Sequence, residues 1–200
     1  MSARPFPRPA FAATLTLALA LSGAALAADS GSGSPSTPTQ TTTTCTNGKI
    51  WSPARKMCLT PQQIKSNSKA KNGAQKKSEL APDDMLYEAA REFAYAGQYG
   101  HALEALKAAE NQHDPRILNY YGFTYRKLGQ VDRAMAYYRQ ALQADENYVL
   151  ARSYMGQALI EQGDVQGARV QLVEIRDRGG EDSWAYRSLL QSLGGERGHY

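Results

Sequence analysis

Histidine, cysteine and the large apolar aromatics are scarce in this chain. Its 200 residues hold three histidines, two cysteines, two tryptophans and four phenylalanines. His101, His113 and His199 lie far apart and away from both cysteines, so no metal-ligand cluster of the usual spacing is on offer. Cys45 and Cys58 stand thirteen positions apart rather than as Cys-x-x-Cys, which argues against a redox-active pair. A Gly-rich phosphate loop, a His-Glu-x-x-His helix and a Gly-x-Ser-x-Gly elbow are all missing. The carboxylate pairs at helical spacing, Glu88 with Glu92 and Glu104 with Glu110, read as solvated faces. We therefore expect no enzymatic activity, no cofactor and no metal.

Long apolar runs are also in short supply. Ala10 to Leu21 is one, but Ser22, Gly23 and small alanines leave it weak against the roughly 20 apolar residues of a spanning helix. Arg4 and Arg8 precede it, and Ala25-Leu26-Ala27 follows as a small-x-small cleavage site. That order is expected of a secretory signal peptide over 1–27, cut after Ala27, with an uncleaved anchor as the alternative. No cysteine follows the run for lipid attachment. Export points to the periplasm of a Gram-negative envelope or to secretion, with no stable membrane span left after cleavage.

Acidic residues are missing from one long stretch. Between Cys45 and Ser78 there are eight Lys/Arg and no acid, whereas 79–200 carries thirteen Lys/Arg against eighteen Asp/Glu. The mature protein reads as a basic arm on a mildly acidic domain. Such an arm suits anionic lipid, cell-wall polymer or its own domain, or is simply a soluble linker; export makes nucleic acid an unsuitable partner. Residues 28–44, mainly Ser, Thr, Pro and Gly, read as an extended spacer. Cys45 and Cys58 are expected to form a disulfide, because an exported thiol pair is usually oxidised. The closed loop would contribute roughly 3 kcal/mol in the chain-entropy model, enough to hold a hairpin with little core. Trp51 inside it could stack on a sugar or peptide, or pack over its own disulfide. Residues 59–80 read as a basic linker, with a frayed helical turn after Pro61 at most. Asp83 or Asp84 is expected to cap the first helix of a folded domain over 81–193.

Small residues recur there at a fixed interval. Gly122 and Gly156, Gly129 and Gly163, Val131 and Val165, and Ala134 and Ala168 are each thirty-four apart. Leu118-x-x-Tyr121-Gly122-x-x-Tyr125 leads through Gly129 to Ala134-x-x-x-Tyr138. An earlier unit runs from Leu86 through Ala90, Phe93 and Gly97 to Ala102 and Leu106, two residues short, with the slack in the turn at Glu110–Pro115. A later one runs from Arg152 through Gly156, Leu159 and Gly163 to Ala168 and Leu172. Arg152 stands where a large apolar residue is usual, and Gly180 stands near the place of a closing proline. Each unit resembles the tetratricopeptide repeat, two antiparallel helices per thirty-four residues. The Cys45–Cys58 segment followed by Leu86–Leu106 is similar to small exported repeat proteins of Gram-negative bacteria, which carries over no defined activity.

The resemblance implies an all-α fold, a right-handed α-solenoid of three helix pairs at about 83–114, 115–148 and 149–182. A capping helix over 183–193 continues the frame with Tyr186, Leu189, Leu190 and Leu193, and 194–200 is a tail. Small residues at Gly122 and Ala134 are expected to let paired helices approach, while Tyr125 and Tyr138 fill the space towards the next unit. Gly97, Gly129 and Gly163 should end the first helices in a left-handed conformation. Family geometry places Tyr87, Arg91 and Tyr95 on a concave surface, with Asn119, Tyr120, Phe123, Arg126 and Lys127 from the second unit. Ser153, Tyr154, Gln157 and Glu161 come from the third. A protein partner offering an extended peptide would meet Asn119 and Gln157 with its amides and Arg91, Arg126 and Lys127 with its acids. The alternatives are that some of these tyrosines pack between units, or that peptidoglycan binding by the basic arm is primary.

Overall fold

The computed structural model of the chain describes residues 45–53, 55–69 and 80–194. The signal peptide, the spacer, the tail from 195 and residues 70–79 of the expected linker lie outside the described residues. Six helices form three antiparallel pairs: α2 (Pro82–Tyr95) with α3 (Tyr99–Ala108), α4 (Pro115–Lys127) with α5 (Val131–Ala144), and α6 (Val149–Glu161) with α7 (Val165–Asp177). A last helix, α8 (Trp184–Gly194), packs on α6 and α7. Successive first helices, α2 against α4 and α4 against α6, touch each other, which is the stacking of an α-solenoid.

Each first helix ends as the spacing predicts. Gly97, Gly129 and Gly163 all have φ between 74° and 82°. In each turn the glycine N–H and the N–H after it bond back to carbonyls of the last turn, as with Gly129 to Arg126 and Gln130 to Tyr125. This double bond pattern satisfies orphan helix-end carbonyls and needs a left-handed residue at the glycine. Gly179 repeats the arrangement at the end of α7.

The small residues of the period have a different job. A Cβ at Gly122 would lie 2.5 Å from the Tyr138 ring of α5, so the glycine is what lets this buried tyrosine lie across α4. Tyr138 thus fills space within its own pair rather than only towards the next. At Gly156 the same contact is made by Leu189 of α8, at 2.6 Å. The capping helix therefore occupies, against α6, the place that Tyr138 holds against α4. Leu189 and Ala185 are fully buried, but Leu190 is 48% exposed, contrary to its expected place in the cap's packing face. The helix buries the stripe that faces α6 and α7, and Leu190 falls outside it.

One further local expectation changes. Ala81, not an aspartate, is the N-cap of α2, because Pro82 takes the first helical position. Asp83 instead accepts N–H bonds from Glu110 and Asn111 at 2.8 and 2.9 Å, tying the shortened turn of the first unit back to its first helix. Arg152, at an apolar position of the frame, is buried with its guanidinium on the Glu146 carbonyl and within 3.2 Å of Glu174. Gly180 is required by proximity: a Cβ there would meet Ile175 at 2.8 Å and Val149 at 3.1 Å.

The N-terminal segment departs most from expectation. Cys45 and Cys58 are joined, as predicted, across a two-stranded antiparallel hairpin of β1 (Ile50–Ser52) and β2 (Met57–Leu59). Trp51 pairs with Cys58 in the register, so its indole shares a hairpin face with the disulfide. Where a linker was expected, Pro61–Lys69 forms helix α1. Its start is a reciprocal cap: Gln63 N–H donates to the Thr60 hydroxyl and Thr60 N–H to the Gln63 side-chain oxygen. Ile64 then supplies a buried anchor, and α1 packs on α2 and α3. Polar, basic composition suggested a linker, but one cap and one anchored isoleucine suffice when a neighbour offers the surface.

Candidate functional site

The concave face is built from α2, α4 and α6, with α8 at its far end. Tyr87, Arg91 and Tyr95 project from α2, Asn119, Tyr120, Phe123, Arg126 and Lys127 from α4, and Tyr154 and Gln157 from α6. The repeat frame brings these side chains into one continuous cluster. It does not leave them lining an open trough. Tyr120 and Tyr154 are each 1% exposed, and Asn119, Phe123, Arg91 and Arg126 are buried as well. Tyr95, at 41%, is the exposed aromatic of the set, beside exposed Lys127 and half-buried Tyr87 and Gln157.

Phenol groups hold the cluster together. The Tyr95 and Tyr154 hydroxyls share a 2.7 Å hydrogen bond, and the Tyr120 hydroxyl donates to that of Tyr95 at 3.2 Å. Three successive units are thereby linked through a chain of three hydroxyls. Edge-to-face contacts reinforce it: Tyr120 with Tyr87 at 5.5 Å, Tyr95 with Phe123 at 5.5 Å, and Tyr154 with Trp184 at 6.0 Å. Burial pushes the Tyr87 phenol up to about 12 and those of Tyr120 and Tyr154 well above 10. They are neutral donors and acceptors at ordinary pH, not charges.

The cations differ from one another. Arg126 bonds the Glu161 carboxylate at 2.7 Å and the Gln157 side-chain oxygen at 3.0 Å, with its guanidinium 5.7 Å from the Phe123 ring. Arg91 pairs with Glu88 at 3.0 Å. Lys127 sets its ammonium 5.7 Å from the centre of the Phe123 ring and stays in solvent. Of the three cations expected to meet a partner's acids, two are thus already neutralised within the fold. Gln157 is also engaged, donating to the Ser188 hydroxyl at 3.1 Å. Asn119 and Ser153, equivalent positions of successive units, are fully buried, and their side-chain polar atoms meet no hydrogen-bond partner among the described residues.

Sequence reasoning missed Arg116, whose guanidinium sits 5.0 Å over the Tyr87 ring between Asp84 and Asp114, and Trp184. Both could have been found from the period, since Asp84, Arg116, Leu150 and Trp184 share one position of the frame. The burial of the others could not. The period says which face a residue is on, not how tightly three stacked pairs curl that face upon itself. Among the described residues no group of three or more His, Cys, Asp or Glu gathers that could hold a metal ion, and no helix is long and apolar enough to cross a membrane.

Two tetratricopeptide-repeat family profiles match this chain, one over residues 87–149 and the other over residues 125–193. The protein belongs to the tetratricopeptide repeat family, whose repeats are in general protein–protein interaction modules and generally not catalytic. A search of curated proteins finds no significant match.

Proposed function

We propose that this is a non-catalytic interaction protein of the bacterial envelope that holds an extended segment of a partner protein on its concave face. The observation that carries the reading is the aromatic and hydroxyl-rich seam joining α2, α4 and α6. Its outer rim, Tyr95, Lys127 and half-buried Tyr87 and Gln157, is the part a partner would meet first. Tyrosine is among the residues most enriched at binding hot spots, since it gives a large rigid contact and a polar tip at little entropic cost. The signal-peptide-like start and the Cys45–Cys58 disulfide support placement outside the cytoplasm.

The test follows from exposure. Tyr120 and Arg126 are buried, so truncating them would confound folding with binding. Tyr95→Ala combined with Lys127→Glu alters the rim instead. Affinity capture from envelope extract should lose the partner with this double variant while its circular dichroism matches wild type. Retention of every partner by a folded double variant would contradict the proposal.

A second reading places the contact on the hairpin. Lys49, Arg55 and Lys56 are all exposed on it near half-buried Trp51, which suits an anionic wall polymer. Co-sedimentation of the full chain with peptidoglycan sacculi at low salt, abolished by Lys49→Glu with Lys56→Glu, would favour this reading over the first.

A further inference from the structure

The Asn47-Gly48 turn, the hairpin and α1 do not hang free of the repeats. Ile50, Leu59 and Ile64 are buried in the same apolar core as Leu86, Ala89, Phe93, Ala102 and Leu106 of the first pair. Gly48, at φ +68°, lies so close to His101 of α3 that a Cβ would come within 2.5 Å of its ring, and that ring packs 5.5 Å from Phe93. Three-residue strands cannot hold a hairpin on their own. The antiparallel register pairs Ile50 with Leu59 and so sets both on one face, and the Cys45–Cys58 bond closes the chain around the pair. The first pair of a solenoid otherwise has a bare apolar flank, which terminal elements must cover.

We infer that the Cys45–Cys58 disulfide is a redox latch on the first repeat. A dithiol reductant attacks one sulfur, expelling the other as a thiol and leaving a mixed disulfide, and its second thiol then closes on that mixed disulfide to release the sulfur first attacked. The dithiol gives up two electrons and leaves as a cyclic disulfide, and its two hydrogens end on Cys45 and Cys58 as thiols. The hairpin is then an open strand pair that does not hold its register, and Ile50, Leu59 and α1 leave the flank of α2 and α3. The first repeat loosens, while α6, α7 and α8, packed on one another, do not. Tyr87 and Tyr95 ride on α2, so the same event slackens the first-unit end of the concave seam. The inference concerns the first repeat's stability and does not depend on what the concave face binds.

Hydrogen exchange read by mass spectrometry on the full chain, with and without dithiothreitol, tests it. Reduction should speed exchange of the α2 and α3 amides by tenfold or more, with a ceiling on the order of a hundredfold from the chain entropy that the cross-link removes. Exchange in α6 to α8 should be unchanged, and reoxidation should restore α2 and α3. Ile64→Asp, with the disulfide intact, should speed the same amides. Equal α2 and α3 exchange in the two redox states would overturn the latch. So would an Ile64→Asp variant whose first repeat keeps full protection, because the cap would then not be docked in solution.

Discussion

The two ends of the stack are closed by unlike devices. At the C-terminal end α8 starts in the thirty-four-residue frame, with Trp184 at the place of Leu150, and its Leu189 lies over Gly156 as Tyr138 lies over Gly122. At the N-terminal end nothing periodic is available. A cross-linked hairpin and a short helix cover the flank of α2 and α3 through Ile50, Leu59 and Ile64. A solenoid can thus be ended by repeating itself once more without a mate, or by borrowing a foreign element whose stability comes from a covalent bond. The first is written in the period; the second is not.

Substitutions can break that contrast, beginning with the largest effect. Gly156→Leu should wedge α8 from α6 and cost about 3 kcal/mol or more, since the new side chain must displace Leu189 in a packed core. Gly122→Leu should do similar damage against Tyr138 in the middle pair. Thermal unfolding by circular dichroism checks both; a Gly156→Leu protein that melts with wild type would mean α8 is not seated where Leu189 places it. Next, Leu189→Ala should cost about 3 kcal/mol whatever the redox state, as expected for a fully buried leucine. Ile64→Ala should cost about 2 kcal/mol, and less once the disulfide is reduced. Denaturant melts of the two variants in oxidising and reducing buffer separate the two kinds of closure.

Gly129→Ala sits further down the scale. No atom lies within 4 Å of a Cβ there, so only the left-handed backbone at φ +75° is penalised, about 1 kcal/mol. A pH titration has the smallest effect near neutrality. The phenols of Tyr87, Tyr120 and Tyr154 are raised in the folded protein, Tyr87 to about 12, chiefly by burial. Their contribution is fully present below about pH 10, the unfolded value, and is lost as pH rises towards the folded value. The melting temperature should therefore be flat across pH 8–9.5 as far as these groups go, and fall above pH 10. Tyr120→Phe should flatten that alkaline fall.

Much of this was readable beforehand because a period is a long-range signal carried by short-range residues. Gly97, Gly129 and Gly163 have one conformation to adopt, and Ala134 and Ala168 one place to sit, wherever a helix pair recurs. The unread parts are those where one contact decides. Thr60 and Gln63 cap α1, yet the helix also needs the flank of α2 and α3 to receive Ile64. Leu190 was expected on the packing face with Leu189 but is exposed on the side of α8 turned away from α6 and α7. The residues assigned to the concave face do come from α2, α4 and α6, and the Tyr95 hydroxyl, bonded to those of both Tyr120 and Tyr154, shows what the frame omits: side chains of three units meeting across the curve.

The proposed function places partners on the concave rim. Its most direct test is a photo-crosslinking amino acid placed at position 95, on that rim, or at position 139, exposed on α5, in cells making the full chain. A discrete partner adduct from position 95 and none from position 139 is the expected result. Adducts from position 139 alone would contradict it.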